Sequence, residues 1–487
     1  MTPSRPVAVI VLAAGGGTRM RSSTPKVLHR ICGRSLLGHS LAAARSLDPE
    51  HLVVVVRPDR ERVAEQVRAL DPQAILADQD EVAGTGRAAE CGLAALPPDL
   101  TGTVIVMMAD VPLITAEALD GLAKRHVSGG YDVTMVTLSI ADPTGYGRIL
   151  RGDDETVVGT VEERDATPQQ REITEVNSGL YAFDASALRD ALGLVGTDNA
   201  QGEKYLTDVI AAVHAKGGRI QTHTLADVWQ LEGINDRVQL ARLGAELNRR
   251  IVERWMRAGV TVVDPATTWI DVDVTLGRDA TIHPHTQIHG ASTIGDDVVI
   301  GPDTTLTDVE VGDGATIVRT QALLAVIGAR ATVGPFAHLR PGTEVGPEAK
   351  IGEFVGTKNA TIGEGAKVPH LSYVGDAVIG EGTNIGAGTI IANYDGVAKH
   401  RTSIGAHCRT GANNTFVAPV TVGDGAATGA GTVVRQDVPP GDLAVSSGPQ
   451  RLLADWTRRR RPGTPGAAAV DSALEPASTG ADPEESR

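Results

Sequence analysis

From Leu276 an apolar residue returns at every sixth position, through Ile282, Ile288, Ile294, Ile300 and Leu306, several of them followed by Gly. A helix repeats every 3.6 residues and a strand every two. A period of six arises when three short strands wind once around a triangular prism, with about eighteen residues per turn. The pattern therefore predicts a β-solenoid. It slips by one residue at Val311 and Ile317, resumes through Ile327, Val333, Leu339, Val345 and Ile351, and returns at Ile379, Ile385 and Ile391. Insertions protruding as loops are expected at the slips, and a longer non-periodic insert interrupts the repeat over 392–403.

The first half has another rhythm. Apolar runs at 7–12, 52–56, 104–108 and 133–138 read as buried strands, with helix-like stretches at 36–47, 60–70 and 87–96. This alternation predicts a parallel sheet covered by helices on both faces. Val238, Leu240, Leu243, Leu247, Ile251 and Trp255 recur near helical spacing and predict one long connecting helix. The expected domains are a head over 1–235, a linker helix over 236–259, a solenoid over 260–450 and a tail over 451–487. The tail is basic from Arg458 to Arg461, then rich in Ala, Pro, Gly, Ser and acidic residues, and is expected to be mostly disordered.

Composition narrows the function. The 487 residues give room for two or three domains, and an aromatic content of only 3% suits a core of Ile, Val, Leu and Ala. A formal charge of -15 argues against nucleic acid or an anionic membrane as the partner, so small-molecule anions must be held by local groups. Cys32, Cys91 and Cys408 are too few and too scattered for a disulfide framework, which points to a reducing compartment. The apolar run at 7–14 is too short to span a bilayer and leads into glycines rather than a cleavage site. A cytoplasmic protein is expected.

Leu12-Ala13-Ala14-Gly15-Gly16-Gly17-Thr18-Arg19-Met20 follows the first strand, where an open α/β sheet places its ligand crevice. The glycines let backbone amides and a following helix N-terminus approach a polyphosphate. Taken alone they fit a dinucleotide turn or an ordinary loop equally well. Arg19 and Lys26 favour phosphoryl chemistry, because charge on a transferring phosphoryl needs cations. Asp110 ends a Val, Ile and Met run, where a carboxylate facing the crevice needs a cation; magnesium, with its hard oxygen ligands, is the natural one. The alternative is a structural Asp capping the next helix. In the solenoid, His338-Leu339-Arg340, Lys358, His370-Leu371-Ser372-Tyr373, Asn384 and Asn393-Tyr394 break the apolar repeat. Repeats alone fit a scaffold or an oligomerisation module as well as an enzyme.

These residues carry a resemblance. The glycine loop with Pro25-Lys26 is similar to the signature of the sugar-nucleotide pyrophosphorylases, and the likeness continues at Gln79, Gly84-Thr85, 109–113, 145–148, Glu162, 177–179 and 232–235. With the solenoid segments included, residues 7–450 resemble the bacterial bifunctional N-acetylglucosamine-1-phosphate uridyltransferase/glucosamine-1-phosphate acetyltransferase family. The resemblance implies an α/β nucleotidyltransferase (Rossmann-like) head, a long connecting helix and a left-handed parallel β-helix of hexapeptide repeats. It implies acetylation of glucosamine 1-phosphate by acetyl-CoA, then UMP transfer from UTP to give UDP-N-acetylglucosamine, a precursor of peptidoglycan. Arg19 and Lys26 would be catalytic in the head, with Mg2+ on Asp110 and Asn235. Leu12, Ala13, Ala14, Gly15, Lys26, Gln79, Gly84, Thr85, Gly147, Glu162, Asn177 and Asn235 would bind UDP-N-acetylglucosamine.

In the solenoid, the same resemblance implies His370 as general base, with Arg340, Lys358, Tyr373 and Asn384 around the glucosamine phosphate. Asn393, Tyr394, Ala412 and Ala430 would meet acetyl-CoA, and either Asn384 or Tyr394 would orient the thioester oxygen. A homotrimer with this site between neighbouring coils is expected. Two positions depart from the family: Ala412 and Ser447 stand where many members have a small hydroxyl residue and a late Arg. Trp456 with Arg458 to Arg461 offers an aromatic face and cations in compensation. The alternatives are a single-activity pyrophosphorylase with a structural or regulatory β-helix, and a non-enzymatic solenoid with a degenerate head. His370 with Asn393-Tyr394 argues against the first, and Arg19, Lys26, Asp110 and Asn235 against the second.

Overall fold

The structure, a computed structural model, describes residues 5–474 except Asp59, Ser447, Pro449 and Arg451. The head is built on a nine-stranded sheet with a spine in the order Ile220–Thr224, Val133–Ser139, Glu175–Asp184, Thr103–Met108, Ala8–Leu12, His51–Val56 and Ile75–Asp78. The sheet is mixed rather than all parallel, because Glu175–Asp184 runs antiparallel to both its neighbours. A parallel strand needs a crossover helix. Between Ser139 and Glu175 the chain has only the hairpin Arg148–Arg151/Val157–Val161 and the four-residue helix Pro168–Arg171.

Every residue of Ala8–Leu12 is buried, since helices cover both faces. Leu36–Arg45, Glu61–Leu70 and Ala116–Gly129 pack on the side of Val9, Val11 and Val54. Thr85–Ala94, Ala185–Leu192 and Asp208–Ala215 pack on the side of Ile10, Val53 and Val55. The helix expected directly after the glycine loop is absent. The loop passes into two three-residue 3-10 turns, Thr18–Met20 and Lys26–Leu28, separated by a stretch ending in Pro25, and the next helix begins at Leu36.

The connecting helix is Arg237–Arg257, capped by Asp236, whose carboxylate accepts from Gln239 N at 2.8 Å. Val238, expected on its apolar face, is 77% exposed, whereas Asn248 is buried. Asn248 Nδ2 donates to Thr268 O (2.8 Å) and its Oδ1 accepts from Ile270 N (2.9 Å), so one side chain stitches the helix to the first coil. Ile251, Val252 and Cys32 extend the solenoid core into the joint, and Arg34 pairs with Asp273 across it at 2.5 Å.

The solenoid stacks parallel strands of two to seven residues. Eighteen residues separate Ile270 from Ile288 and Ile282 from Ile300, the turn length read from the repeat. The slips at Val311 and Ile317 are shortenings, not the protruding insertions expected: Leu306 stacks on Ala322, sixteen residues on. Each five-residue step turns its corner with a left-handed residue, Asp308, Arg319, Leu324, Asn359 or Asp376. The real insertion is later, where Ile379 stacks on Ile404, twenty-five residues on.

The tail, expected to be disordered, contains helices Trp456–Arg460 and Pro465–Leu474, the second rich in alanine, a strong helix former. Residues 475–487 and Ser447 lie outside the described residues. No described helix is long and apolar enough to cross a membrane. Ile300 is fully buried between Ile282 and Ile317. Ile300→Ala should destabilise the solenoid by about 2–5 kcal/mol, and an unchanged denaturation midpoint would contradict this packing.

Candidate active sites

The head cleft lies at the carboxyl ends of the central strands and encloses about 370 Å³. Arg19, Thr85, Asp110, Gly147, Glu162, Asn177 and Asn235, all singled out from sequence, line it. Leu12, Ala13 and Ala14 are buried beneath the loop and offer only backbone, while Gly15 and Gly16 are exposed with open space where a Cβ would stand. Gly17 differs: at φ 64° it closes the loop onto Lys26, where an added Cβ would lie 2.6 Å from the lysine Cβ.

Lys26 does not line the cleft. Its ammonium bridges the Asp110 carboxylate and Asn235 Oδ1, the latter at 3.1 Å. Two oxygen donors thus converge on one cation, the donor chemistry that suits a hard metal ion. Ile234 N donates to Asp110 O at 2.9 Å, which pins the 232–235 segment beside the strand end. Asp110 does not cap the next helix; Thr115 does, accepting from Ala118 N. Gln79 is buried and holds the loop, donating to Val82 O (2.9 Å) and Gly84 O (3.1 Å).

Sequence reasoning missed the segment that closes this cleft. Lys204 O accepts from Gly86 N (2.8 Å), Leu206 N donates to Thr85 Oγ1 (3.1 Å), and Thr207 Oγ1 donates to Glu162 (3.0 Å). Burial pushes the Glu162 carboxyl up, and the Thr207 bond only partly offsets it. The residues 199–207 carry no apolar period to announce them.

In the solenoid, His370 ends the strand Lys367–His370. Its Nδ1 meets Glu353 Oε1 at 2.6 Å on the adjacent coil, and Gly388 N donates to His370 O from the other side. Above it runs a column of small residues: Asn413 N donates to Ala387 O (2.7 Å) and Gly431 N to Ala412 O (2.8 Å), bringing Ala387, Ala412 and Ala430 into file. Ala412 and Ala430 are exposed, so the file is an open track.

Around the corner, Gly375 lies opposite Lys358 in the ladder, and the Tyr373 ring stands over Gly356. Asp376 accepts from Asn359 (2.7 Å) and from Asn393, so Asn393 is turned toward the Lys358 side of the coil. The insert is a self-capped turn: Asp395 accepts from Val397 N (2.8 Å), Ala398 N (2.7 Å) and His400 (2.7 Å), which hold its carboxyl far below the usual range. This turn delivers Lys399, a residue the sequence reading missed, against Lys358. Crowding by Lys399 first, then Arg340, pushes the Lys358 ammonium down. Lys358 and Lys399 both face Asp376, and Arg340 lies close to Lys358, so three cations gather here. Tyr394 is exposed with its hydroxyl donating to Gly396 O, and Asn384 bridges Lys367 and Arg409 in the ladder.

The basic tail is partnered within itself. Arg461 lies 5.0 Å over the Trp456 ring, and Arg458 pairs with Asp471 at 2.7 Å.

A family model described as a MobA-like NTP transferase domain matches residues 9–171. A bacterial transferase hexapeptide model of six repeats matches 273–308, and a hexapeptide repeat of succinyl-transferase matches 401–436. Curated relatives span the whole chain. The "Bifunctional protein GlmU" of Kineococcus radiotolerans is 58% identical over 97% of this chain and 96% of its own length. The proteins of that name from Pseudarthrobacter chlorophenolicus and Mycolicibacterium vanbaalenii are each 59% identical, over 96% of both chains and 94% of both chains respectively.

Removing Lys399 relieves the charge crowding, so Lys399→Ala should raise the Lys358 pKa toward its ordinary value. NMR titration of 13C-methylated lysines would read this, and an unmoved Lys358 signal would contradict the cluster.

Proposed function

The chain belongs to the GlmU family of bifunctional enzymes, and we propose that its two activities divide between the head cleft and the solenoid. The protein acetylates glucosamine 1-phosphate with acetyl-CoA and transfers UMP from UTP to the N-acetylglucosamine 1-phosphate formed. UDP-N-acetylglucosamine and pyrophosphate are the products. The reading places this work in the cytoplasm, where both cosubstrates are made.

In the head, a sugar-phosphate oxygen attacks the α-phosphorus of UTP and pyrophosphate leaves. The nucleophile is already an anion, so the task is to hold two anions together and neutralise charge. The glycine loop offers bare backbone, Arg19 a cation on the cleft, and Thr85, Gly147, Glu162 and Asn177 the walls against nucleotide and sugar. Asp110 and Asn235 would hold Mg2+, which supplies positive charge to the phosphates when bound. Lys26 fixes the two oxygens and adds its own charge beside them.

In the solenoid, the amine of glucosamine 1-phosphate loses a proton to His370 and attacks the thioester carbonyl; the carbon–sulfur bond breaks and the CoA thiolate leaves. Arg340, Lys358 and Lys399 hold the sugar phosphate, with Tyr373, Asn384 and Asn393 around the sugar and Tyr394 at the edge of the cosubstrate. The CoA arm lies along Ala387, Ala412 and Ala430. The observation that carries this reading is that the open small-residue track ends at His370, one corner from the cation cluster. A scaffold needs neither. Trp456, Arg458 and Arg461, already partnered within the tail, would reach the adenine end only by exchanging those partners.

Phe336 and Phe354 stack at 5.3 Å on successive coils, and Leu371, next to His370, continues the exposed apolar ridge. This supports a homotrimer in which a second copy covers the ridge beside each acetyl-transfer site. Phe336→Asp with Phe354→Asp should yield monomers by sedimentation and lose acetyl transfer, while a trimer of unchanged mass would contradict it.

His370→Ala should lower acetyl transfer by about 10²- to 10⁴-fold and leave UMP transfer intact, whereas Lys26→Ala or Asp110→Ala should do the reverse. Equal loss of both activities in either variant would sink this division. One incubation with glucosamine 1-phosphate, acetyl-CoA, UTP and Mg2+, repeated with each omitted in turn, should give UDP-N-acetylglucosamine only when all four are present.

A further inference from the structure

We propose that Glu353 is the positioning residue of the acetyl-transfer site, holding the His370 ring so that Nδ1 carries the hydrogen and Nε2 is left free to take the proton of the attacking amine. The inference rests on the reading of His370 as the base. Glu353 and His370 are Cα partners in the parallel ladder, so their side chains leave adjacent coils at the same position. The 2.6 Å contact joins Nδ1, not Nε2, to the carboxylate.

The backbone beneath both residues is pinned. Leu371 N donates to Glu353 O (3.0 Å), Gly388 N to His370 O (3.1 Å), and Ser372 Oγ to His370 O (2.8 Å). The side chains themselves are part-exposed, at 39% for Glu353 and 47% for His370, as a substrate-facing pair must be. The imidazole ring would otherwise be free to turn.

A carboxylate accepts and does not donate. Glu353 is held ionised by its own backbone N–H and by His370, which keep its carboxyl below the usual range. Its partner nitrogen must then bear the hydrogen, which fixes the neutral tautomer. Once Nε2 has taken the amine proton, the same carboxylate faces an imidazolium, a charge-assisted pair stronger than the neutral one. The other charged groups on this face are Lys350 and Lys367, stacked three positions upstream, and the coil above presents Asn384 and Ala387, neither ionisable.

Among the described residues three other histidines meet carboxylates, and none of these stands at the track. His289 pairs with buried Asp271 in the first coils, His407 with Glu381 at an exposed corner, and His400 with the Asp395 turn of the insert.

The test is steady-state acetyl transfer by the full chain. Glu353→Ala should lower kcat by about 10- to 100-fold, the range for carboxylates that orient a ligating histidine, with KM for both substrates within about twofold. Glu353→Gln, whose amide oxygen can still accept from Nδ1–H, should recover most of that loss. Combining Glu353→Ala with His370→Ala should be no slower than His370→Ala alone, and UMP transfer should match the parent throughout. A parental kcat in Glu353→Ala, or losses that multiply in the double variant, would overturn the inference. If His370→Ala itself leaves acetyl transfer intact, it is the base assignment that fails, and the role of Glu353 with it.

Discussion

The solenoid depends on one constraint: each coil must satisfy its backbone N–H and C=O groups on the next coil. The ladder makes Cα partners of residues one turn apart, roughly 4.8 Å from each other, so whatever stands at a position in one coil has a neighbour directly above. Inward, the constraint demands an apolar residue at every layer, hence the file of Ile282, Ile300, Ile317, Val333, Ile351 and Val368. Outward, it makes chemistry out of stacking. Glu353 under His370 and the file of Ala387, Ala412 and Ala430 are single positions repeated through successive turns.

Such a stack can vary only at its corners. A corner shortened by one residue reverses the chain through a left-handed residue, a modest cost for Asp308, Asn359 or Asp376, whose short polar side chains tolerate that region, and a larger one for Leu324. Two of these corners, at Asn359 and Asp376, lie one above the other and form a polar wall beside the cation cluster. The lengthened turn from Ile379 to Ile404 works the other way, projecting a turn capped on Asp395 so that Lys399 reaches a neighbour it could not reach from the regular coil.

This explains which features could be read from the sequence. The inward residues could, because their period is the period of the coil; the strands of the head could, because runs buried on both faces are continuously apolar. Arg19, Asp110 and Asn235 were legible as motif and charge, and they meet at one cleft. Glu353 and Lys399 were not, since pairing Glu353 with His370 requires knowing that this turn is seventeen residues long rather than eighteen. The closing segment at 199–207 binds through backbone carbonyls and one threonine, which leave no pattern. The helix expected after the glycine loop failed for a related reason: glycine and cation spacing describe a loop that embraces phosphate, whatever element follows it.

A chain with a formal charge of -15 gathers cations at both proposed sites, and it does so by opposite means. In the head, Lys26 is already paired with Asp110, so that corner carries little net charge, and in the proposed reaction a further cation would meet the polyphosphate. In the solenoid, Arg340, Lys358 and Lys399 outnumber Asp376, and Lys358 is held down by its neighbours. An anion placed among these cations would relieve that repulsion. The solenoid can tolerate this because its ladder fixes Arg340 and Lys358 from the backbone, and the capped insert fixes Lys399. A flexible loop would let the three cations separate, and the cluster would lose its charge density.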